Sequence, residues 1–140
     1  MIEVSIIWLV LPNGDAVLQR RDKKTNVSPG LLGFFGGHVE AGETPEAAIK
    51  RELSEETSLN ISGLNISWVA SVELPHPNDP TVMRRLHIYR ASIDSDDFDV
   101  FEGERSETYS IAELENRRDL ASSVTYVINH LEELNSSRLA

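Results

Sequence analysis

The sequence predicts an α/β sandwich in which strands are mixed with two or three helices. Three observations carry that expectation. The N-terminal run from Ile2 to Leu11 is apolar and ends at a turn-forming Pro12-Asn13-Gly14-Asp15. The stretch after Thr44 and Pro45 consists mostly of good helix formers. Met83 to Ile93 alternates as a strand does.

Taken in order, Ile2 to Leu11 reads as a buried strand and Ala16 to Arg20 as its hairpin partner. Arg21 to Gly30 is a polar loop, after which Leu31 to Phe35 leads into a glycine-rich turn at Gly36 and Gly37. A helix begins at Thr44, which can cap it. Pro45 takes the first helical position, where its missing N–H costs nothing, and Glu46 suits the positive helix end. Asn65 to Leu74 is a strand, Pro75 to Pro80 a proline-rich loop, and Met83 to Ile93 another strand. Asp94 to Asp99 is an acidic loop. Ser110 caps a short helix over Ile111 to Leu114, and Val124, Ile128, Leu131 and Leu134 keep helical spacing near the C-terminus. Trp8 and Trp68, both in apolar strands, are expected in the core, and His76 and His87 are read as structural.

Composition narrows the classes of function. A chain of 140 residues, 40% hydrophobic and 26% charged, suits one globular domain spanning residues 1–140. The run at Val4 to Leu11 is too short to span a membrane and has no basic flank, so no membrane partner is expected. Without cysteine there are neither disulfides nor thiolate metal sites, and a cytoplasmic location is expected although not demanded. The net charge of −10 argues against extended nucleic acid, whose binding depends on Lys and Arg displacing counterions. A small anion remains compatible with it if cations screen the acids locally.

The chemistry concentrates on the first helix. Glu52, Glu55 and Glu56 stand three and four residues apart and therefore share a face. Ile49 and Leu53 mark the core-facing stripe, which leaves Glu52 and Glu56 bordering the core. Crowded carboxylates repel and raise one another's pKa unless a cation lies between them, and hard oxygen ligands suit Mg²⁺ or Mn²⁺. Arg51 can hold carboxylates in a bidentate fork. Gly36 and Gly37 permit a close approach of the backbone and expose a carbonyl. The same spacing also fits a solvated acidic face with Lys50 and Arg51 as ordinary surface partners.

The segment from Gly37 to Leu59 resembles the Nudix box, G-x5-E-x7-R-E-U-x-E-E-x-G-U with U aliphatic. Gly37, Glu43, Arg51, Glu52, Leu53, Glu55, Glu56 and Leu59 occupy its positions. Ser58 stands where the pattern has its last glycine, so the helix is expected to end in another way. The resemblance implies a Nudix-type α/β/α sandwich with a mixed sheet, and a Mg²⁺-dependent (or Mn²⁺-dependent) hydrolase that cleaves a nucleoside diphosphate linked to a group X by attack of water on phosphorus. It implies Glu52, Glu55, Glu56 and the Gly36 carbonyl as metal ligands. Those carboxylates and Arg51 form the catalytic set, and Glu43 orients Arg51. Glu52 is the first choice of base, then Glu55, with Glu102 and Glu104 as outside candidates.

For the substrate, a nucleoside triphosphate, oxidised or ordinary, leads; a dinucleoside polyphosphate, a nucleotide sugar and a capped RNA stay open. Arg20, Arg21, Phe35 and His38 are candidate substrate contacts, each weighed against a structural role, and Phe34 can stack beside Phe35. Many relatives have proline at the place of Phe35, so the pocket entrance is expected to differ. One of Asp94, Asp96 and Asp97 can add a metal ligand. A homodimer is compatible with the sequence. The competing readings are a non-catalytic nucleotide-binding or regulatory module on the same scaffold and a metal-free acidic domain that binds a protein.

Overall fold

The structure is a computed structural model that describes residues 1–134. Its elements are β1 (Ile2–Val10), β2 (Ala16–Arg20), β3 (Leu32–Gly33), β4 (Phe35–His38), α1 (Pro45–Glu56), β5 (Ser67–His76), β6 (Asp79–Ser92), β7 (Arg105–Tyr109), α2 (Ile111–Glu115) and α3 (Ser122–Asn129). The strands form one mixed seven-stranded sheet. At its centre β1 runs parallel to β6, while its other edge pairs antiparallel with β4 and then with β2. The order β3-β2-β1-β6-β5 is flanked by β4 on β1 and β7 on β2.

Successive side chains of a strand point to opposite faces, so β1 feeds two cores. Val4, Ile6, Trp8 and Val10 pack with Leu114, Val124 and Val127 under α2 and α3. Ile7 and Leu9 pack with Phe35, Ile49 and Leu53 under α1. The result is the expected α/β/α sandwich. Helix α1 starts as its sequence dictates: Thr44 Oγ1 accepts from the Ala47 amide and Pro45 opens the helix. Ser5, buried on the α1 face, donates from Oγ to the Pro45 carbonyl at 2.7 Å and ties the helix start to β1.

Several expectations are corrected. Gly36 and Gly37 lie within β4 instead of a turn, opposite Ile6 and Ser5 of β1. Pro75 to Pro80 is the tip of the β5–β6 hairpin, with His76 paired to Asp79. Its three prolines fit because Pro75 lies on the edge strand β5, Pro77 lies in the turn, and Pro80 precedes the first β1–β6 pair at Arg84. Trp68 is 59% exposed on β5, whereas Trp8 is buried as expected. Strand β7 was not apparent in a polar sequence whose alternation is weak; it forms because β2 offers it a complete ladder from Ala16 to Arg20.

Candidate active site

Helix α1 and the strand β4 bring the first part of the site together. Gly36 has φ 146°, and a Cβ there would stand 2.1 Å from the Ser5 carbonyl oxygen, so only glycine allows β4 to lie this close to β1. Its amide donates to Glu56 Oε1 at 2.9 Å. Gly37 faces the helix: a Cβ there would lie 2.5 Å from the Glu52 carboxyl carbon. The pair of glycines thus seats two carboxylates against the sheet.

Arg51 holds the outer ring of acids. Its Nε donates to Glu43 at 2.7 Å, Nη1 to Glu52 at 2.9 Å, and Nη2 to Glu43 at 3.0 Å and to the His38 carbonyl at 3.1 Å. That fork holds the Glu43 carboxyl down at about 2, helped by the Glu40 amide. Glu43 therefore does orient Arg51, as its place in the box implies. Glu55 lies 3.4 Å from Arg51 Nη1 and is largely exposed.

The third carboxylate comes from far along the chain. Oxygens of Glu52, Glu56 and Glu102 lie within 4.8 Å of one another, and Glu55 is outside this group. The loop bearing Glu102 is stitched down by the Thr57–Val100 bridge, by Phe101 N–H to the Glu56 carbonyl at 2.7 Å, and by Gln19 Nε2 to the Glu102 carbonyl at 2.7 Å. Gly103, at φ 83°, clears the Arg20 carbonyl, where a Cβ would come within 2.8 Å. Ser58 contributes here: its Oγ accepts from the Asp99 amide while Thr57 leaves the helix extended, not left-handed. The departure from the box pattern is thus used to lead the chain toward the Glu102 loop.

Electrostatics show what the group lacks. Burial pushes the Glu56 carboxyl up to about 8, against the hydrogen bond from Gly36, and the charges of Glu102 and Glu52 push the same way. Burial also raises Glu52, opposed by Arg51. Arg51 reaches Glu52 but makes no bond to the buried Glu56, and a divalent cation among the acids would relieve the cost of ionising it. The all-oxygen donor set fits Mg²⁺ or Mn²⁺.

The carboxylates open into a cleft of about 470 Å³ that passes the edge of β4 to the face covered by α3. Arg21 and His38, two of the sequence candidates for substrate, line it. Arg20 and Phe35 are elsewhere. Arg20 is committed to Glu107 at 2.8 Å and Asp119 at 2.9 Å, and Phe35 is fully buried, edge-on to Phe98. Phe34 instead faces the cleft, because it leaves β3 on the opposite side of the sheet from Phe35. Glu102, in the sequence only an outside candidate for the base, joins the acidic group, and Arg84 lines the cleft without having been assigned by sequence reasoning. The one local signal for Glu102 was its position before Gly103, in a loop rich in acids. Asp94, Asp96 and Asp97 stay outside the group, with Asp96 accepting from Thr108. His87 is structural, bridging Ser71 at 2.8 Å and Glu3 at 3.0 Å.

A mixed sheet between helices, with these acids beside it, defines a class. The chain belongs to the NUDIX domain family, whose model matches residues 1–131. It is 34% identical over 86 residues to a Danio rerio protein named oxidized purine nucleoside triphosphate hydrolase, covering 61% of this chain and 49% of that one. It is 32% identical over 75 residues to the NAD-capped RNA hydrolase NUDT12 of Homo sapiens, covering 54% of this chain and 15% of that protein. The match therefore spans half or less of either relative. In structure it resembles the MutT protein of Methanosarcina mazei, with TM-score 0.79 and 16% identity over 98% of this chain and 94% of the other. Among the described residues no helix is long and apolar enough to cross a membrane.

Proposed function

We propose that the chain is a divalent-metal-dependent pyrophosphohydrolase that cleaves a nucleoside diphosphate linked to X by attack of water on phosphorus, with an oxidised or ordinary nucleoside triphosphate as substrate. The observation that carries this is the convergence of Glu52, Glu56 and Glu102 within 4.8 Å at the mouth of a cleft large enough for a nucleotide. The name of the Danio rerio relative supports the substrate class.

Glu52, Glu56 and Glu102 would hold the cation, Mg²⁺ or Mn²⁺, with the Gly36 carbonyl as a further ligand. When bound, such an ion neutralises phosphate oxygens and makes water more acidic. Glu52 takes the proton of the attacking water: burial makes its carboxyl more basic, and Arg51 fixes one of its oxygens at 2.9 Å. Glu55, at the rim 3.4 Å from Arg51, would add its negative charge to the cation site from outside the group. Arg21 and His38 contact the nucleotide from the cleft wall.

The test is a panel of nucleotides incubated with Mg²⁺, with phosphate and pyrophosphate release read separately. Release of pyrophosphate with a nucleoside monophosphate, abolished by chelator, is expected. No turnover of any nucleotide with Mg²⁺ or Mn²⁺, or full turnover in chelator, would refute the proposal.

A further inference from the structure

The cleft has a second charged end, of which the reaction proposed above uses only Arg21, as a nucleotide contact. Arg84 lies at the start of the β1–β6 ladder, two residues before Leu86, so by strand parity it belongs to the face covered by α2 and α3. It is 9% exposed and lines the cleft. Its Nε is buried without a partner, and among the described residues no hydrogen bond or ion pair holds its guanidinium.

A buried cation without a partner costs stability, and a protein with net charge −10 has carboxylates in plenty to pair it. Here the charge acting on it is that of a second cation, Arg21, which depresses its pKa further after burial. Arg21 itself is held in place over Gly33, with Nε donating to the Val27 carbonyl at 2.8 Å. Asp22, the carboxylate beside them in the cleft lining, accepts from the Lys24 amide and bonds neither arginine.

The same wall carries a helix start. Helix α3 is capped by Ala121 with no side-chain acceptor, and Ser122 and Ser123 line the cleft. The first amides of a helix carry partial positive charge and seek an acceptor. Two guanidiniums, two hydroxyls and a helix N-terminus therefore line one cleft, and among the described residues no carboxylate pairs with either guanidinium.

We infer that Arg84, with Arg21 and the start of α3, forms an anion subsite that holds a second negatively charged group of the substrate, a phosphate or carboxylate apart from the diphosphate being cleaved. The inference rests on the reading of the carboxylate end as the hydrolytic end and narrows its substrate class: the molecule that fits is anionic at both ends of the cleft. An arginine offers a planar fork to such oxyanions, and a desolvated one binds them strongly. The protein tolerates the unpaired charge because the ligand supplies the missing partner.

Matched pairs of nucleotides test this without requiring turnover. Calorimetric titration in chelator compares NADP with NAD, which differ by one phosphate on the nucleoside, and UDP-glucuronate with UDP-glucose, which differ by one carboxylate on X. The expected result is about tenfold tighter binding of the more anionic member in one of the two pairs, and closure of that gap in Arg84→Gln. Which pair responds identifies whether the extra anion sits on the nucleoside or on X. The melting temperature of Arg84→Gln should hold or rise, because a buried unpaired charge is removed; a purely structural arginine would give a fall. Equal affinities in both pairs for the wild type, or a gap that survives in Arg84→Gln, would overturn the inference. Since no metal is present in the titration, failure of metal-dependent hydrolysis would leave this result standing, and failure here would leave the hydrolysis standing.

Discussion

Replacing Gly37 by alanine isolates the seating of Glu52 from the stability of the fold. A Cβ at this position would stand 2.5 Å from the Glu52 carboxyl carbon and 2.6 and 2.8 Å from its two oxygens, whereas ordinary contact begins at 3.4 Å. The carboxyl group must therefore retreat by roughly 1 Å, a displacement that near reacting atoms can lower a rate about a hundredfold. Stability should change little. Gly37 is not in the left-handed region, its clash is with the end of a flexible side chain, and alanine restricts the unfolded chain by an amount worth about 0.4 to 1 kcal/mol in favour of folding. Gly36→Ala is the control with the opposite signature. Its Cβ would meet the Ser5 carbonyl at 2.1 Å, and its φ of 146° is strained for any side chain, so folding itself should fail. Thermal unfolding by circular dichroism, Mn²⁺ titration and pyrophosphate release separate the outcomes. A folded Gly37→Ala protein with wild-type metal affinity and rate would refute the argument that Glu52 must occupy this position.

Further outcomes follow from the same geometry. Glu102→Gln should weaken Mn²⁺ binding at least as much as Glu55→Gln does, because Glu102 and not Glu55 shares the 4.8 Å group; calorimetry on the two variants checks it, and the reverse order would remove Glu102 from the ligand set. Leu53→Ala should lose about 2 to 5 kcal/mol in denaturant unfolding, as a fully buried leucine in the α1 core. Arg20→Ala should cost about 1 to 3 kcal/mol, because Glu107 and Asp119 each lose a charge-assisted partner while Glu107 keeps Arg105 and Tyr109 and Asp119 keeps Arg117, and an unchanged unfolding midpoint would show that the pairs are no more than surface contacts. Arg20 also sets an acid limit. It holds the Glu107 carboxyl at about 2 in the folded state, below its unfolded value. That stabilisation, on the order of 2 kcal/mol, is present above the unfolded carboxylate pKa of about 4.5 and is lost as pH falls toward 2. In Arg20→Ala the slope of stability against pH between about 4.5 and 2 should flatten.

The helix and its caps were legible because they depend on neighbours in sequence. Thr44, Pro45 and the spacing of Ile49 and Leu53 specify where α1 starts and which face it buries, and the structure keeps each of them. The apolar run of β1 foretold a buried strand, although not that its two faces serve two cores. By contrast, Trp68 and Trp8 look alike in sequence. Only the position of β5 at the sheet edge and β1 at its centre makes one exposed and the other buried. Arg20 and Arg21 are also alike as text. The ladder between β2 and β7 delivers Glu107 to Arg20, while Arg21, one residue past the strand, turns into the cleft.

The sequence by itself determined the class of this protein, because the box fixes residue types at spacings that a helix converts directly into a shared face. It also determined that Arg51 and Glu43 would be partners, eight residues apart across the helix entrance. The tertiary structure alone decided which acids meet. Glu55 has the right periodicity yet points to solvent beside Arg51, and Glu102 completes the group from 46 residues beyond Glu56 because the Thr57–Val100 bridge folds its loop back onto the helix end. It alone decided too that Arg84 faces the cleft without a partner among the described residues, since the burial of a charge is a property of the surfaces that enclose it and of no local pattern.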